Sequence, residues 1–308
     1  MLRFAAEPKR CRAKRSLAYL TFDRKSGCYG YVVEADIKGF YDHMDHEWLL
    51  KMLCLRIDDR AFLGLIRKWL KAGILAIDGA VIHPETGTPQ GGNISPVLAN
   101  VYLHYALDLW FEKVVKPHCS GQALICRYAD DWVCAFRYQD DAEAFYRVLP
   151  KRLEKFTLKV APEKTRLMRF SRFHPSMKRR FIFLGFDFYW KKDRSGKPRV
   201  MRRTAPKRLQ GACRRIKEWI ELNRHLPGGE FFKRLNARLR GHYNYYGLRG
   251  NSSALHRFFK WAMACAFKWL NRRSWRRSYT WAQFQRVRAC VSIAEPRITE
   301  PRGLRVFA

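Results

Sequence analysis

RYADDWVCAF, residues Arg127 to Phe136, sets two aspartates side by side between two apolar runs. The runs Leu124–Tyr128 and Trp132–Phe136 favour β-strands, and the turn that would join them as a hairpin carries Asp130 and Asp131. Adjacent carboxylates repel each other, and partial burial increases that repulsion. The stretch therefore indicates a binding site in which a positive charge offsets the two negative charges. A plain polar turn is the alternative, since aspartate is favoured in turns.

A third aspartate follows another strand-like run near the start of the chain. Tyr31–Ala35 favours a strand, Asp36 stands at its end, and Gly39 permits the chain to turn. Carboxylates aimed from strand ends suit a hard divalent cation such as Mg²⁺, which takes oxygen ligands together with substrate phosphates. A pair of such ions can promote in-line phosphoryl transfer. The pattern alone leaves open whether Asp36 lies beside the hairpin.

The composition indicates a folded protein with a polyanionic partner. The 308 residues include 61 Lys and Arg against 27 Asp and Glu, a formal charge of +34, yet 47% of them are hydrophobic, which excludes a disordered basic tail. Nucleic acid is the first candidate partner and an anionic membrane surface the second. The nine cysteines form no CxxC pair, which disfavours zinc and a disulfide framework and favours reduced thiols in the cytoplasm. No segment predicts a signal peptide or a membrane-spanning helix.

Secondary structure is predicted as a mixture of helices and strands in the first two thirds of the chain. Asp45 is expected to cap a helix over HEWLLKMLCL, and Ser95 to be the N-cap of a long helix. Another helix is expected to begin near Asp140 and to be interrupted at Pro150. The run FIFLGFDFYW, residues 181–190, favours a strand.

The composition changes near residue 200. From Met201 to Ala308 there are 25 Lys and Arg against five Glu and no Asp, and the pattern is helical. Arginine is interleaved with tyrosine and tryptophan in RGHYNYYGLRG and FKWLNRRSWRRSYTWAQF. Guanidinium groups bind phosphates and aromatic faces stack on unpaired bases, so the mixture favours structured RNA as the partner. For the individual aromatic residues, a helical core with a solvated basic face is the alternative.

Five motifs resemble, in their order along the chain, the palm motifs of group II intron reverse transcriptases: ADIKGFYD (Ala35–Asp42), GTPQGGNISPVLAN (Gly87–Asn100), YADD (Tyr128–Asp131), LKVAPEKT (Leu158–Thr165) and FLGF (Phe183–Phe186). RRIKEWIELN, LNARLRGHYNYYG and FKWLNRR look like the thumb and maturase region of that family. The resemblance implies an α+β fold in which residues 31–200 form a right-hand polymerase palm, an antiparallel sheet with packed helices. An all-helical thumb and maturase domain is expected over residues 201–308. Residues 1–30 are expected to be a residual N-terminal segment of a truncated chain, with the fingers region of the family largely missing.

The same resemblance implies roles for particular residues. The catalytic and metal-binding carboxylates would be Asp36, Asp130 and Asp131. The backbone carbonyl of Ile37 would complete a Mg²⁺ shell. Tyr41 would be the steric gate under the nucleotide sugar, with an ordinary core aromatic as the alternative. Further substrate contacts are expected from Gln90, Gly91 and Lys164, the last with a solvated lysine as its alternative.

The partners implied by the resemblance are group II intron RNA, an RNA template with a DNA primer, and deoxynucleoside triphosphates. RNA contacts are expected from arginine and tyrosine side chains of the basic segments, namely Arg238, Arg240, Tyr243, Tyr245, Arg272, Arg273, Arg276 and Arg277.

Three functions stay open at this point. The first is an RNA-directed DNA polymerase that also acts as a maturase in intron splicing and mobility, which the three carboxylates and the PQGG motif favour. The second is a catalytically impaired, truncated form that only binds RNA as a splicing cofactor, which the missing fingers favour. The third is a degenerate remnant, which the undamaged YADD disfavours. A cytoplasmic location in a ribonucleoprotein is expected for the first two.

Overall fold

A computed structural model describes residues 29–72, 74–75, 81–82, 86–88, 92–193, 195–273 and 278–300 of the chain. The helices within them are α1 (His46–Cys54), α2 (Arg60–Lys71), α3 (Ser95–Leu103), α4 (Lys116–His118), α5 (Gln139–Glu154), α6 (Pro206–Leu222), α7 (Gly228–Tyr246), α8 (Ser252–Leu270) and α9 (Trp281–Cys290). The strands are β1 (Tyr31–Ala35), β2 (Ile74–Leu75), β3 (Val81–Ile82), β4 (Ala123–Tyr128), β5 (Asp131–Phe136), β6 (Arg166–Arg169), β7 (Arg180–Phe183), β8 (Phe186–Lys192) and β9 (Pro198–Thr204). Between α3 and α4 the helix continues through two π-helical turns, His104–Asp108 and Phe111–Val115.

The described chain separates into two compact units between Arg179 and Arg180. We call the part before this point the first unit and the part after it the second unit. The composition predicted a boundary near residue 200, which would leave β7 to β9 with the palm. In the structure this sheet lies in the second unit, where the Phe186 ring stacks on Tyr245 of α7 and the Tyr245 hydroxyl donates to the Leu184 carbonyl.

The first unit is built on an antiparallel sheet of four strands in the order β4-β5-β1-β6. β1 lies inside the sheet, because Ala35 pairs with Trp132 of β5 and Glu34 pairs with Arg166 of β6. Alternate side chains of β1 and β5 point into one core, as the period of a strand requires. This core joins the sheet to the helices of the unit and includes Val33, Ala35, Leu49, Leu103, Trp132, Cys134, Phe136 and Phe145.

Helix starts in the first unit follow the sequence at one predicted position and differ at another. The Asp45 carboxylate accepts from the Trp48 amide at 2.7 Å, which confirms the predicted cap of α1. Ser95, in contrast, is the first residue of α3 rather than its N-cap. The cap position is Ile94, which has helical dihedral angles (φ −87°, ψ −25°), so that the helical turn begins one residue earlier than the sequence suggests.

Pro150 does not interrupt α5, which runs from Gln139 to Glu154. A proline inside a helix removes one backbone hydrogen bond and crowds the preceding turn. Here it lies near the end of the helix, between Leu149 and Leu153, whose side chains are both completely buried. Packing of the last turn against the core therefore outweighs the local penalty.

The run FIFLGFDFYW forms a hairpin of β7 and β8 rather than one strand. Leu184 and Gly185 have φ angles of 51° and 76°, and Phe183 pairs with Phe186 across them. Two successive positive φ angles characterise the tight turn of a two-residue hairpin. Aromatic residues alternate with other residues both before and after this turn. The pattern suits two short strands as well as one long strand, so it does not predict the turn.

Helices α6, α7 and α8 of the second unit confirm the helical prediction for this part of the chain. They enclose a second core whose members include Leu209, Ile216, Phe231, Leu239, Tyr243, Phe258, Ala262 and Phe284. The last of these belongs to α9, which begins with a capping box in which Thr280 and Gln283 bond each other's backbone amides.

The described residues can be compared with the expectations for membrane-spanning helices and for the cysteines. None of the described helices is long and apolar enough to cross a membrane. The described cysteines Cys54, Cys119, Cys126, Cys134, Cys213, Cys265 and Cys290 are all free thiols.

Candidate active site

The sheet brings Asp36 to the hairpin that carries Asp130 and Asp131. Ala35 at the end of β1 pairs with Trp132 near the start of β5. One step further in the same register, Asp36 lies opposite Asp131. Tyr128 pairs with Asp131, which leaves Ala129 and Asp130 as the turn of the hairpin. Two segments that are nearly a hundred residues apart in sequence therefore meet at one end of the sheet.

Asp36 is held from the other side by the LKVAPEKT segment. Its backbone carbonyl accepts from the Ala161 amide at 2.8 Å, and its Oδ1 accepts from the Ile37 amide at 3.1 Å. Ile37 forms an isolated β-bridge with Val160 and is buried. The segment between α5 and β6 thus fixes the backbone on which Asp36 stands.

Lys164 reaches Asp36 directly. Its ammonium donates to Asp36 Oδ2 at 2.6 Å, although the lysine side chain is 64% exposed and the aspartate 29%. This hydrogen bond and the attraction to the Asp36 charge raise the pKa of Lys164, and Asp131 acts in the same direction. The lysine therefore lies within electrostatic reach of two of the three predicted carboxylates.

Tyr41 lies close to the third carboxylate. Burial raises the pKa of its phenol above the ordinary value, and the negative charge of Asp130 raises the pKa further. The ring is half-buried and packs against Phe40 with centroids 5.4 Å apart. Tyr41 is thus a partly buried ring that packs against the core and lies within electrostatic reach of Asp130.

The loop that begins the PQGG motif is anchored on the segment after β1. The Gly87 amide donates to the Met44 carbonyl at 2.7 Å, and the Thr88 amide donates to the Tyr41 carbonyl at 2.8 Å. Gly87 has φ +84°, and a Cβ there would lie 2.5 Å from the Tyr41 carbonyl oxygen, so the close approach requires glycine. The motif residues Gln90 and Gly91 lie outside the described residues, and their substrate contacts stay predictions.

The donor set suits a hard divalent cation in chemistry. Asp36, Asp130 and Asp131 offer only carboxylate oxygens, which are the ligands that Mg²⁺ prefers. Within the described residues, however, no three His, Cys, Asp or Glu side chains gather closely enough to hold a metal ion. The Lys164 ammonium occupies Asp36 Oδ2 instead. The chemistry of the donor set therefore suits Mg²⁺, whereas the arrangement of these side chains in the structure does not enclose an ion.

Sequence reasoning missed a polar network behind the hairpin. Arg127, at the end of β4, donates to Asp108, to Asn100 and to the Ala129 carbonyl. The only signal in the sequence is a charged residue inside the otherwise apolar strand ALICRY, directly before the turn. Its partners lie on the long helix 19 and 27 residues upstream, a separation that no local pattern links to the turn.

The second unit offers arginines on aromatic faces as a candidate RNA surface. The Arg238 guanidinium lies 4.5 Å from the centroid of the Trp219 ring, and Arg272 lies 5.5 Å from that of Trp269. Arg238, Arg240 and Arg272 are exposed, and Arg273 is half-buried over Phe231. Arg276 and Arg277 lie outside the described residues.

The two tyrosines expected to contact RNA have different surroundings. Tyr243 is completely buried in the second core. Its ring has no free face for a base, which corrects the expectation for this residue. Tyr245 is half-buried, stacks on Phe186 and donates its hydroxyl to the Leu184 carbonyl. Its main contacts are therefore made within the second unit.

An antiparallel sheet with an acidic hairpin beside a strand-end carboxylate defines the class of right-hand polymerase palms. Residues 5–188 match the family described as reverse transcriptase (RNA-dependent DNA polymerase), which is more than half of the chain. Residues 209–288 match the group II intron maturase-specific domain. The chain belongs to the reverse transcriptase family.

Known relatives are similar over parts of their length. The group II intron-encoded protein LtrA of Lactococcus lactis subsp. cremoris is 46% identical over 88 residues, which are 28% of this chain and 14% of LtrA. Protein YkfC of Escherichia coli (strain K12) is 29% identical over 198 residues, 56% of this chain and 50% of YkfC. A solved telomerase structure from Candida albicans aligns with 92% of this chain and 49% of that chain at 12% identity and a TM-score of 0.43. The chain thus spans half or less of each of these proteins.

Proposed function

We propose that this protein is an RNA-directed DNA polymerase that also binds group II intron RNA as a maturase. The observation that supports the polymerase most strongly is the pairing of Ala35 with Trp132, from which Asp36 and the Asp130–Asp131 turn project at one end of the sheet. Carboxylates carried to one end of a sheet by separate segments are the type of donor needed for phosphoryl transfer with divalent cations.

In this proposal Asp36, Asp130 and Asp131 hold Mg²⁺, with the Ile37 carbonyl as a further oxygen ligand. When bound, Mg²⁺ would activate the primer hydroxyl and stabilise the leaving phosphate oxygen. Lys164 would leave Asp36 when the metal binds, because an ammonium and a divalent cation compete for the same carboxylate oxygen. Its ammonium would then bind the phosphates of the incoming deoxynucleoside triphosphate. Tyr41 would lie under the sugar and exclude a 2′-hydroxyl by occupying its space.

The second unit would bind RNA through the exposed arginines that lie on tryptophan rings. Such pairs hold the planar guanidinium against an aromatic face and leave its charge available to phosphate. The net charge of +34 supports a polyanionic partner. A cytoplasmic, RNA-bound location belongs to the same proposal and is supported by the free cysteines.

Primer extension on an RNA template with Mg²⁺ tests the polymerase. The wild type should extend the primer, and Asp130→Asn should not, because the substitution removes one negative oxygen donor. Asp140→Asn is the matched control, since it makes the same substitution at an exposed position in the first turn of α5. Equal extension by the wild type and Asp130→Asn would reject the proposed polymerase.

A second candidate is an RNA-binding splicing cofactor that does not polymerise. The contact of Lys164 with Asp36 favours it, because this contact neutralises a predicted metal ligand with a side chain of the protein itself. The two functions differ in a splicing assay with the cognate intron RNA. Asp130→Asn should splice as well as the wild type if splicing needs only the RNA-binding surfaces, whatever the outcome of primer extension.

A further inference from the structure

Arg127 is a cation in a largely desolvated position. Its side chain is 12% exposed and belongs to a strand whose other residues are mostly apolar. A charge that far from water must be compensated by nearby partners. The burial of the Arg127 charge therefore costs free energy that its contacts have to offset.

The contacts of Arg127 join two elements. Its Nε and Nη2 donate to the two carboxylate oxygens of Asp108 at 2.7 and 2.5 Å. Its Nη1 donates to Asn100 Oδ1 and to the Ala129 carbonyl, both at 2.9 Å. The planar fork of the guanidinium suits this bidentate arrangement and leaves one edge for the hairpin. One end of the side chain is thus fixed to the long helix and the other to the turn.

The first π-helical turn explains how two helix residues reach one guanidinium. Residues share a face of an α-helix when they are about seven apart, which is two turns. Asn100 and Asp108 are eight apart, and the π turn His104–Asp108, in which the Leu109 amide donates to the His104 carbonyl, takes up the additional residue between them. In a regular α-helix Asp108 would instead be rotated by about 80° around the axis from Asn100.

The hairpin end of the network is a strained backbone position. Ala129 has φ 55°, a left-handed conformation that costs a residue other than glycine about 1–2 kcal/mol. Such conformations persist where the surroundings hold them. The Ala129 carbonyl and the Asp130 amide belong to one planar peptide, so a donor that fixes the carbonyl also fixes the backbone from which the Asp130 side chain projects.

We infer that Arg127 is a positioning residue for the proposed reaction: through Asp108 and Asn100 it anchors the Ala129 carbonyl and so aims the Asp130 carboxylate. This inference rests on the proposed function. The bidentate partner has a second effect, because Asp108 neutralises Arg127. The network therefore orients a metal ligand without adding net positive charge that would repel the metal.

The test compares Arg127→Gln with Arg152→Gln. Arg152 is a matched control, because it also binds the long helix, with donors to the Ala106 and Tyr105 carbonyls at 2.9 and 3.1 Å, and packs over the Phe156 ring. Both substitutions remove a partly buried guanidinium, but only Arg127 reaches the hairpin. Arg127→Lys keeps the charge without the fork and replaces Arg127→Gln if that variant does not fold.

The first measurement is backbone amide hydrogen exchange across the hairpin, which needs neither metal nor activity. Amides of residues 129–132 should exchange faster in Arg127→Gln than in the wild type, and should be unchanged in Arg152→Gln. Equal rates of amide exchange in the hairpin of Arg127→Gln and of Arg152→Gln would overturn the inference.

The second measurement is the affinity for Mn²⁺, followed by magnetic resonance of the free ion. Arg127→Gln should bind Mn²⁺ about 10- to 100-fold more weakly than Arg152→Gln, the usual loss when the support of a metal ligand is removed. Equal Mn²⁺ affinity of the two variants, in a protein whose wild type binds the ion, also overturns the inference. If the wild type neither binds Mn²⁺ nor extends a primer while the hairpin exchange differs, the proposed function fails and the anchoring of the hairpin by Arg127 stands.

Discussion

The basic side chains near the candidate active site and the arginines of the candidate RNA surface have different kinds of partner. In the first unit Lys164, Arg166 and Arg127 each pair with a carboxylate, namely Asp36, Glu34 and Asp108. In the helical part of the second unit, Arg238, Arg272 and Arg273 lie over aromatic rings. A carboxylate partner fixes the position of a cation and cancels its charge, whereas a ring leaves the charge available to a phosphate. The named cations of the first unit are thus arranged to orient groups, and the named arginines of the second unit to attract a polyanion.

The largest effect should follow from removal of one acidic group of the first unit. Asp36→Asn should lower the rate of primer extension by roughly 10²- to 10³-fold or more, the scale of losing one group that stabilises developing charge. RNA affinity should be unchanged, because the arginines of the second unit are untouched. Asp140→Asn is the control for both measurements. A parallel loss of RNA affinity in Asp36→Asn would contradict the division of roles between the units.

The next effect concerns Tyr243, which belongs to the core and not to the RNA surface. Tyr243→Ala should lower the free energy of unfolding by about 3–5 kcal/mol, as for other buried aromatic residues. Tyr243→Phe should stay close to the wild type, because the buried hydroxyl has no hydrogen-bond partner among the described residues. Chemical denaturation measures both values. If Tyr243→Ala were as stable as the wild type but bound RNA more weakly, Tyr243 would be a residue that contacts RNA.

His242 should make the stability of the second unit depend on pH. Burial, and then the charge of Arg215, lower the pKa of His242 from 6.5 to about 4. Between these values the unfolded chain takes up a proton that the folded chain does not, so the free energy of unfolding falls as the pH is lowered, by about 3 kcal/mol in all. His242→Phe should remove this part of the pH dependence, as measured by denaturation from pH 7 to pH 4. An unchanged profile in the variant would show that another group is responsible.

The smallest effect should come from one exposed arginine of the second unit. Arg272→Gln should weaken RNA binding similarly for different sequences and reduce the slope of log affinity against log salt by about 1. Arg56→Gln, an exposed arginine of the first unit, is the matched control and should leave the slope unchanged. Equal slopes for Arg272→Gln and the wild type would mean that Arg272 does not contact a phosphate.

Local patterns in the sequence predicted the features that depend on neighbouring residues. The strand Tyr31–Ala35 has the predicted bounds, the hairpin around Asp130 is present, and the cap by Asp45 is made. Each depends on residues within a few positions of one another. The capping box of Thr280 and Gln283 was visible in the same way, and attention to that spacing would have predicted α9.

Features that depend on the rest of the fold could not be predicted in this way. Pro150 is tolerated because of distant packing, and Tyr243 is buried because three helices meet around it. The Arg127 network needs a π-helical turn, which no residue in HYALD announces. The family resemblance predicts the roles of the carboxylates, but no local pattern predicts the hydrogen bond from Arg127 to the Ala129 carbonyl.

The position of β1 inside the sheet has a consequence for how the candidate site can be lost. The strand that leads to Asp36 is bonded to β5 on one side and to β6 on the other, so it has no edge from which to fray. Asp36 keeps its place as long as both neighbours stay paired. A denaturant should therefore abolish the carboxylate arrangement in the same cooperative transition that melts the first unit, and milder loosening that spares the sheet should leave it intact.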